Sequence, residues 1–160
     1  MQDLLPLAEK LGARLKSRGD TIAIAESSTG GLISAALLSV AGASAYFRGG
    51  SVIYTAYARS GFLDIPNPLP NGMRASSEPY ANLLAMTVRS RLGSTWGLSE
   101  TGATGPTGNR YGDAPGHSCI AVVGAAAERA ITIETGQSDR TANMRAFAAA
   151  ALKLLAEMLA

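Results

Sequence analysis

The spacing of apolar residues along the chain predicts alternating helices and strands. Leucine and alanine recur every three or four positions from Leu4 to Leu15, which is typical of an amphipathic helix with Asp3 as N-cap and Gly19 as C-cap. Short runs rich in β-branched residues predict strands at residues 21–26, 51–55, 95–101, 117–123 and 130–135. Further helices are expected at residues 32–40 and 56–63, from Ser77 to Leu92, and from Ser138 or Asp139 to the C-terminus.

This order of elements predicts an α/β fold in which helices cover a mixed β-sheet whose last two strands form a hairpin. The 160 residues show no internal repeat and no low-complexity linker, so we expect one domain over residues 1–160. Hydrophobic residues make up 47% of the chain, which is enough for a core without disulfides or a metal.

Charge and cysteine content narrow the class of protein. A net charge of +2 argues against nucleic acid as a partner, because phosphate binding needs clustered Lys and Arg. The single Cys119 gives no disulfide and fits a cytoplasmic location. The sequence contains no run of 18 apolar residues and no signal-peptide pattern at its start, so no membrane association is expected.

Three glycine-rich segments with hydroxyl side chains are the candidate ligand-binding loops: residues 26–31, 42–44 and 101–108. Ligands of open α/β sheets bind beyond the carboxyl ends of the strands, and backbone N–H groups at Gly30 and Gly31 suit an anion such as phosphate. The alternative for residues 27–31 is a plain helix cap and tight turn. We expect the three segments to converge on one cavity around the Ser44 hydroxyl.

Other common chemical motifs are absent. The standard mono- and dinucleotide loops do not occur, and no His, Cys and carboxylate cluster predicts a metal site. His117 is the only histidine, and nothing near it in the sequence supports a Ser–His–Asp triad.

Four segments together resemble the CinA C-terminal family: residues 25–31, 42–50, 52–54 and 102–108. Their order and spacing agree with that family over essentially the whole chain. The resemblance implies a three-layer α/β/α sandwich, and a homodimer is a possible assembly. It implies an amidohydrolase of pyridine-nucleotide salvage that needs no metal or cofactor. The substrate would be a small nucleotide, nicotinamide mononucleotide, and the products nicotinate mononucleotide and ammonia.

The resemblance also implies roles for individual residues. Ser44 matches the family nucleophile, whose base is a Lys, and the candidate catalytic residues are Ser44, Tyr54, Arg59 and Glu100. Arg145 is suited to a nucleotide phosphate because its guanidinium can donate two parallel hydrogen bonds. The candidate substrate-binding residues are Glu26, Ser27, Thr29, Gly30, Gly31, Thr101, Gly102, Gly105, Arg140 and Arg145.

Two substitutions relative to the family pattern bear on the chemistry. Arg59 stands where the family has its Lys, and arginine stays protonated in proteins, so it cannot act as a base. Glu100 stands where the family has an apolar residue. One hypothesis is that Glu100 and Arg59 compensate each other as a pair, and the other is that they are two separate exposed charges.

Three functions therefore stay open. The chain is an active hydrolase whose base is Glu100, Tyr54 or a water held by them, or an impaired homologue that binds a nucleotide-like metabolite, or a module without a ligand. The third is the least favoured, because glycine-rich loops weaken a fold unless a turn or a ligand requires them.

Overall fold

The computed structural model describes residues 1–160 and is built on one five-stranded mixed sheet. Its strands are β1 (Ile22–Glu26), β2 (Phe47–Val52), β3 (Trp96–Ala103), β4 (His117–Val123) and β5 (Glu128–Glu134). They lie in the order β2-β1-β3-β4-β5. β1 is parallel to both β2 and β3, whereas β4 and β5 are antiparallel additions to β3, as the predicted hairpin requires.

Five helices cover the two faces of the sheet: α1 (Leu5–Arg18), α2 (Leu32–Leu38), α3 (Ala56–Leu63), α4 (Glu78–Leu92) and α5 (Arg140–Met158). α1, α2 and α5 pack on one face, and α3 and α4 pack on the other. The predicted three-layer α/β/α architecture with a mixed sheet is therefore confirmed. None of these helices combines the length and apolar character needed to cross a bilayer.

β1 contributes to the core on both faces of the sheet. All five of its residues are buried, as expected for a parallel strand with helices on both faces. Ile22 and Ile24 belong to the larger core on the α1, α2 and α5 side, and Ala23 and Ala25 belong to the smaller core on the other side. Small residues let α4 approach closely, since a side chain at Gly97 would collide with the carbonyl of Ala85.

The second strand differs from its predicted position. It runs from Phe47 to Val52, earlier than the predicted residues 51–55. Gly49 and Gly50 look like a turn in the sequence, yet both pair with β1. A side chain at Gly49 would lie 2.9 Å from Leu92 Cδ1, and one at Gly50 would collide with Ser34 Oγ, so close packing explains these glycines.

The helix ends follow the predicted caps with one exception. Gly19 ends α1 at a φ of 67°, Ser77 Oγ accepts from Tyr80 N at the start of α4, and Asp139 accepts from Ala142 N at the start of α5. The prediction for Asp3 is wrong: it lies in a 3-10 turn (Gln2–Leu4), and its carboxylate accepts from the N-terminal amine instead.

Candidate functional site

The register of the parallel strands defines two edges of the sheet. Ile22 pairs with Phe47 and Trp96 at the amino edge, and Glu26 pairs with Val52 and Glu100 at the carboxyl edge. Segments that directly follow β1, β2 or β3 therefore lie together at the carboxyl edge. These are residues 27–31, 53–55 and 104–108, and they carry six of the fourteen candidate residues.

Ser44 lies at the opposite edge, so the expected convergence of three turns is wrong. Ser44 is exposed in a 3-10 turn (Ala43–Ala45) that comes after α2 and just before β2 begins at Phe47. A helix between parallel strands returns the chain to the amino edge, which is where this turn must lie. Within one chain, Ser44 is thus separated from Ser27 and Thr101 by the length of the strands.

A polar cavity of about 500 Å³ lies at the carboxyl edge, between α3, α4 and the loop after β3. It brings together five of the residues predicted for the site, which come from four parts of the chain: Ser27, Tyr54, Arg59, Thr101 and Gly102. Its volume is in the range typical of small-molecule sites.

A second hollow of about 300 Å³ adjoins this cavity and shares Ser27 and Tyr54 with it. Its other lining residues are Ser28, Gly30, Val52, Arg140 and Met144. A ligand that fills both spaces would therefore pass Ser27 and Tyr54.

Arg140 forms the rim of this hollow. It donates to Gly105 O at 2.8 Å and to Tyr54 Oη at 3.3 Å, and so links α5 to both neighbouring loops. Arg145 does not share either space. It lines a separate hollow of about 250 Å³ with Met1.

Glu26 is fully buried and acts as the cap of α2. Its Oε1 accepts from Ser34 N and Ser34 Oγ, at 3.0 and 2.7 Å. Its Oε2 accepts from Thr29 Oγ1, Gly31 N and Ile33 N, at 2.7 to 3.1 Å. Glu26 therefore holds the residue 27–31 loop in shape and is not open to a ligand.

Glu100 is also fully buried, among donors from the same loop and from β4. Its Oε2 accepts from Ser27 N, Thr29 N and Thr29 Oγ1, and its Oε1 accepts from the hydroxyls of Ser28 and Ser118. Burial raises the pKa of Glu100, and the hydrogen bonds from Ser28, Thr29 and Ser118 oppose that rise only in part. The carboxyl group holds a proton more tightly than an ordinary Glu.

Neither hypothesis about Arg59 and Glu100 is correct. Both residues are buried, so they are not exposed charges, and no carboxylate lies within 4.0 Å of Arg59, so they are not a pair. Arg59 instead donates to Pro66 O and Asn67 Oδ1, and its guanidinium lies 5.9 Å from the ring centre of Tyr80.

His117 on β4 connects β5 to Ser76, which lines the cavity. Its Nε2 is 3.0 Å from Ser76 O and its Nδ1 is 2.5 Å from Glu134 Oε1. Burial lowers the pKa of His117, but the hydrogen bonds to Glu134 and Ser76, with the charge of Asp113, outweigh it and raise the pKa above its ordinary value. A carbonyl and a carboxylate both accept, so the imidazolium form satisfies both ring nitrogens.

Several lining residues of the cavity were not among the sequence candidates. They come from the proline-rich loop between α3 and α4, from α4 itself and from the long loop between β3 and β4: Asn67, Ser76, Tyr80, Asn109, Arg110 and Tyr111. The sequence offers one signal for the last three: the glycine- and proline-rich stretch of residues 102–116 is unusually long, and long loops in compact domains are often functional.

Comparisons with known proteins agree with this fold. The profile of the CinA C-terminal domain family matches residues 4–159. A CinA-like protein of Gloeobacter violaceus is 39% identical over 150 residues, which are 93% of this chain and 35% of that protein. A CinA-like protein of Anaeromyxobacter dehalogenans is 37% identical over 151 residues, 94% of this chain and 37% of its own. The chain thus spans about a third of the length of these curated relatives.

Solved structures show the same architecture. The competence/damage inducible protein CihA from Agrobacterium tumefaciens superposes with a TM-score of 0.90 at 27% identity, covering 98% of this chain and 95% of that one. A CinA superfamily protein from Klebsiella pneumoniae gives a TM-score of 0.90 at 23% identity, covering 98% and 97%. The latter likeness concerns the fold alone.

Proposed function

Since the chain belongs to the CinA C-terminal domain family, we propose that it hydrolyses the carboxamide of nicotinamide mononucleotide to nicotinate mononucleotide and ammonia. The observation that carries this proposal is the hydrogen bond from the Ser28 hydroxyl to the buried Glu100 carboxylate at the edge of the smaller hollow. A hydroxyl bonded to a carboxylate that is itself held by other donors is the arrangement of an activated nucleophile.

The reaction follows from these two residues. Ser28 Oγ attacks the carboxamide carbon while Glu100 Oε1 takes the hydroxyl proton, and Glu100 then gives that proton to the departing nitrogen as ammonia leaves. A water molecule, deprotonated by Glu100, then attacks the carbonyl carbon of the resulting ester. Glu100 returns this proton to Ser28 Oγ as the carbon–oxygen bond breaks and the acid leaves, which restores both residues. The raised pKa of Glu100 favours proton acceptance, and the backbone bonds from Ser27 and Thr29 hold the carboxylate in place.

The substrate is a small nucleotide, and the chemistry uses a hydroxyl and a carboxylate of the chain, so it requires no metal or organic cofactor. We expect it to take place in the cytoplasm, with neither nucleic acid nor a membrane as partner. A homodimer stays a prediction.

The test is ammonia release from nicotinamide mononucleotide by the purified chain. We expect turnover that is lost in Ser28→Ala and in Glu100→Gln and that is unchanged in Ser44→Ala, the matched serine control at the other edge of the sheet. Loss of activity in Ser44→Ala together with activity in Glu100→Gln would contradict the proposed chemistry.

A second candidate is a homologue that binds such a nucleotide without turning it over. Arg59 favours it, because a permanently protonated guanidinium replaces the Lys that the family pattern has as base, and no Lys lines the cavity. This candidate predicts that the nucleotide raises the melting temperature of the chain without ammonia release. It also predicts that Arg59→Lys gains amidase activity, whereas a fall in activity assigns Arg59 a role of its own.

A further inference from the structure

The larger cavity carries positive charge without a counter-charge. Its lining includes Arg59 and Arg110 and contains no Asp or Glu. The side chain of Arg59 is 6% exposed, and no carboxylate lies within 4.0 Å of its guanidinium. Burying a cation that nothing neutralises is costly, and proteins normally provide a partner for it.

The hydrogen bonds of Arg59 leave part of its guanidinium unused. Nη2 donates to Pro66 O and Asn67 Oδ1, both at 3.2 Å, but the buried Nε has no hydrogen-bond partner. The planar fork of arginine matches oxygen pairs on carboxylates and phosphates, and its charge persists at any physiological pH.

Neighbouring groups suit an organic anion. Two hydroxyl-bearing residues, Thr101 and Ser76, line the same cavity, as do the aromatic residues Tyr54, Tyr80 and Tyr111. Ser76 N already donates to Thr101 Oγ1, which fixes that hydroxyl oxygen and leaves its proton for another acceptor.

We propose that the larger cavity binds the oxyanion group, carboxylate or phosphate, of a small metabolite, with the Arg59 guanidinium as its main partner. Arg59 thereby binds an anion at the position where the family pattern has a catalytic base. The inference goes beyond the proposed function, because anion binding by Arg59 requires no hydrolysis. For a nucleotide that spans both spaces, it puts an oxyanion at Arg59 and the reacting group at Ser28.

The test uses thermal unfolding of the full chain with inorganic phosphate, nicotinate or nicotinamide at constant ionic strength. The first two probes separate phosphate from carboxylate, and nicotinamide is the neutral match of nicotinate. We expect at least one of the anions to raise Tm more than chloride does, and nicotinate to exceed nicotinamide if carboxylate is the preferred group. The proposal is overturned if neither anion stabilises the wild type beyond chloride.

Variants assign the effect to Arg59. Arg59→Met should weaken anion affinity about ten- to hundredfold, as expected for a lost charged hydrogen bond. Arg48→Met is the control, because Arg48 is exposed on β2 and lines neither space. If Arg59→Met does not fold, Arg59→Lys replaces it in the comparison and should lose about tenfold through loss of the fork. An unchanged affinity in the variant used overturns the proposal.

The result of the anion-binding test does not depend on the result of the amidase assay. A chain that releases no ammonia but binds an anion through Arg59 contradicts the proposed function and leaves this inference standing. A chain that releases ammonia while Arg59→Met binds phosphate and nicotinate as the wild type does contradicts this inference alone.

Discussion

Glu26 and Glu100 pair with each other on adjacent strands, yet their surroundings give them different roles. Both oxygens of Glu26 face backbone N–H donors, from Ser34 on one side and from Gly31 and Ile33 on the other. Glu100 has backbone donors on Oε2 only, and its Oε1 faces hydroxyls, which can donate or accept. The first carboxylate must therefore be an acceptor at both oxygens, whereas the second tolerates a proton.

This difference predicts opposite results for the same substitution. Glu26→Gln puts an amide group against backbone donors and should lower the free energy of unfolding by about 2–3 kcal/mol. Glu100→Gln can accept at the Oε2 position and donate to Ser28 and Ser118, so the chain should be as stable as the wild type or more so. Urea denaturation at pH 7.5 measures both, and equal destabilisation would contradict the assignment.

The stability that Glu100 contributes also depends on pH. Its pKa in the folded chain is raised, so between the ordinary Glu value of about 4.5 and the folded value the folded state holds more protons than the unfolded state. Stability due to this group therefore falls as pH rises through that window. We expect the advantage of Glu100→Gln over the wild type to grow as pH is raised above 4.5, whereas a constant difference would show that the pKa is not raised.

At the residue scale, the sequence supplied the identities of the unusual groups but not their partners. Glu100 and Arg59 stand out against the family pattern, but the sequence leaves open whether they pair or are two separate exposed charges. Their separation depends on the burial of Arg59 on α3 and of Glu100 behind the residue 27–31 loop, which no local pattern encodes.

At the scale of elements, His117 connects β4 and β5 to the segment around Ser76, which lines the cavity. His117 on β4 bonds to Glu134 on β5 and to the carbonyl of Ser76, while the Arg74–Asp113 ion pair, 2.7 Å long, closes the loop beside it. The charged and titratable groups around the ring are Asp113, Glu134, Arg74 and Cys119. Protonated His117 therefore stabilises the packing of β4, β5 and the Ser76 segment against one another.

The stability that His117 contributes changes with pH in the opposite direction to that of a carboxylate in an ion pair. The folded pKa of His117 is raised, so its contribution is complete below the unfolded value of about 6.5 and is lost as pH rises through the folded value. We expect stability to fall as pH rises above 6.5, and His117→Gln to remove this part of the pH dependence. The same slope in both proteins would contradict the imidazolium assignment.

The order of the elements was predictable from the sequence, whereas the expected position of Ser44 beside the other two loops is wrong. Residues 42–44 lie between a predicted helix and a predicted strand, and such a connection belongs at the amino edge of a parallel sheet. The exact start of β2 was not predictable, because its glycines serve packing against Leu92 and Ser34 and resemble a turn.

On the scale of the whole molecule, the sheet gathers residues from distant parts of the chain at one edge. Ser27, Arg59, Thr101 and Arg140 lie up to about a hundred positions apart, yet they line two adjoining spaces because β1, β2 and β3 end together and α5 crosses behind them. The sequence predicted a meeting of residues 26–31 and 101–108 because both follow strands, but it wrongly included Ser44 and gave no position for residues 109–111.

The adjoining spaces predict that a nucleotide stabilises the whole chain. Glu100→Gln keeps the fold and stops the proposed hydrolysis, so nicotinamide mononucleotide should bind it without being consumed. At a ligand concentration of about a hundred times Kd, the free energy of unfolding should rise by about 2.7 kcal/mol. Absence of any shift at millimolar nucleotide would argue against both candidate functions.

The most direct test of the central claim is the position of nicotinamide mononucleotide in a crystal structure of Glu100→Gln soaked with it. We predict density that spans the two spaces at the carboxyl edge, with the carboxamide beside Ser28 and an oxyanion within hydrogen-bond distance of Arg59. Nucleotide bound at the turn of Ser44, with both spaces empty, would contradict the account.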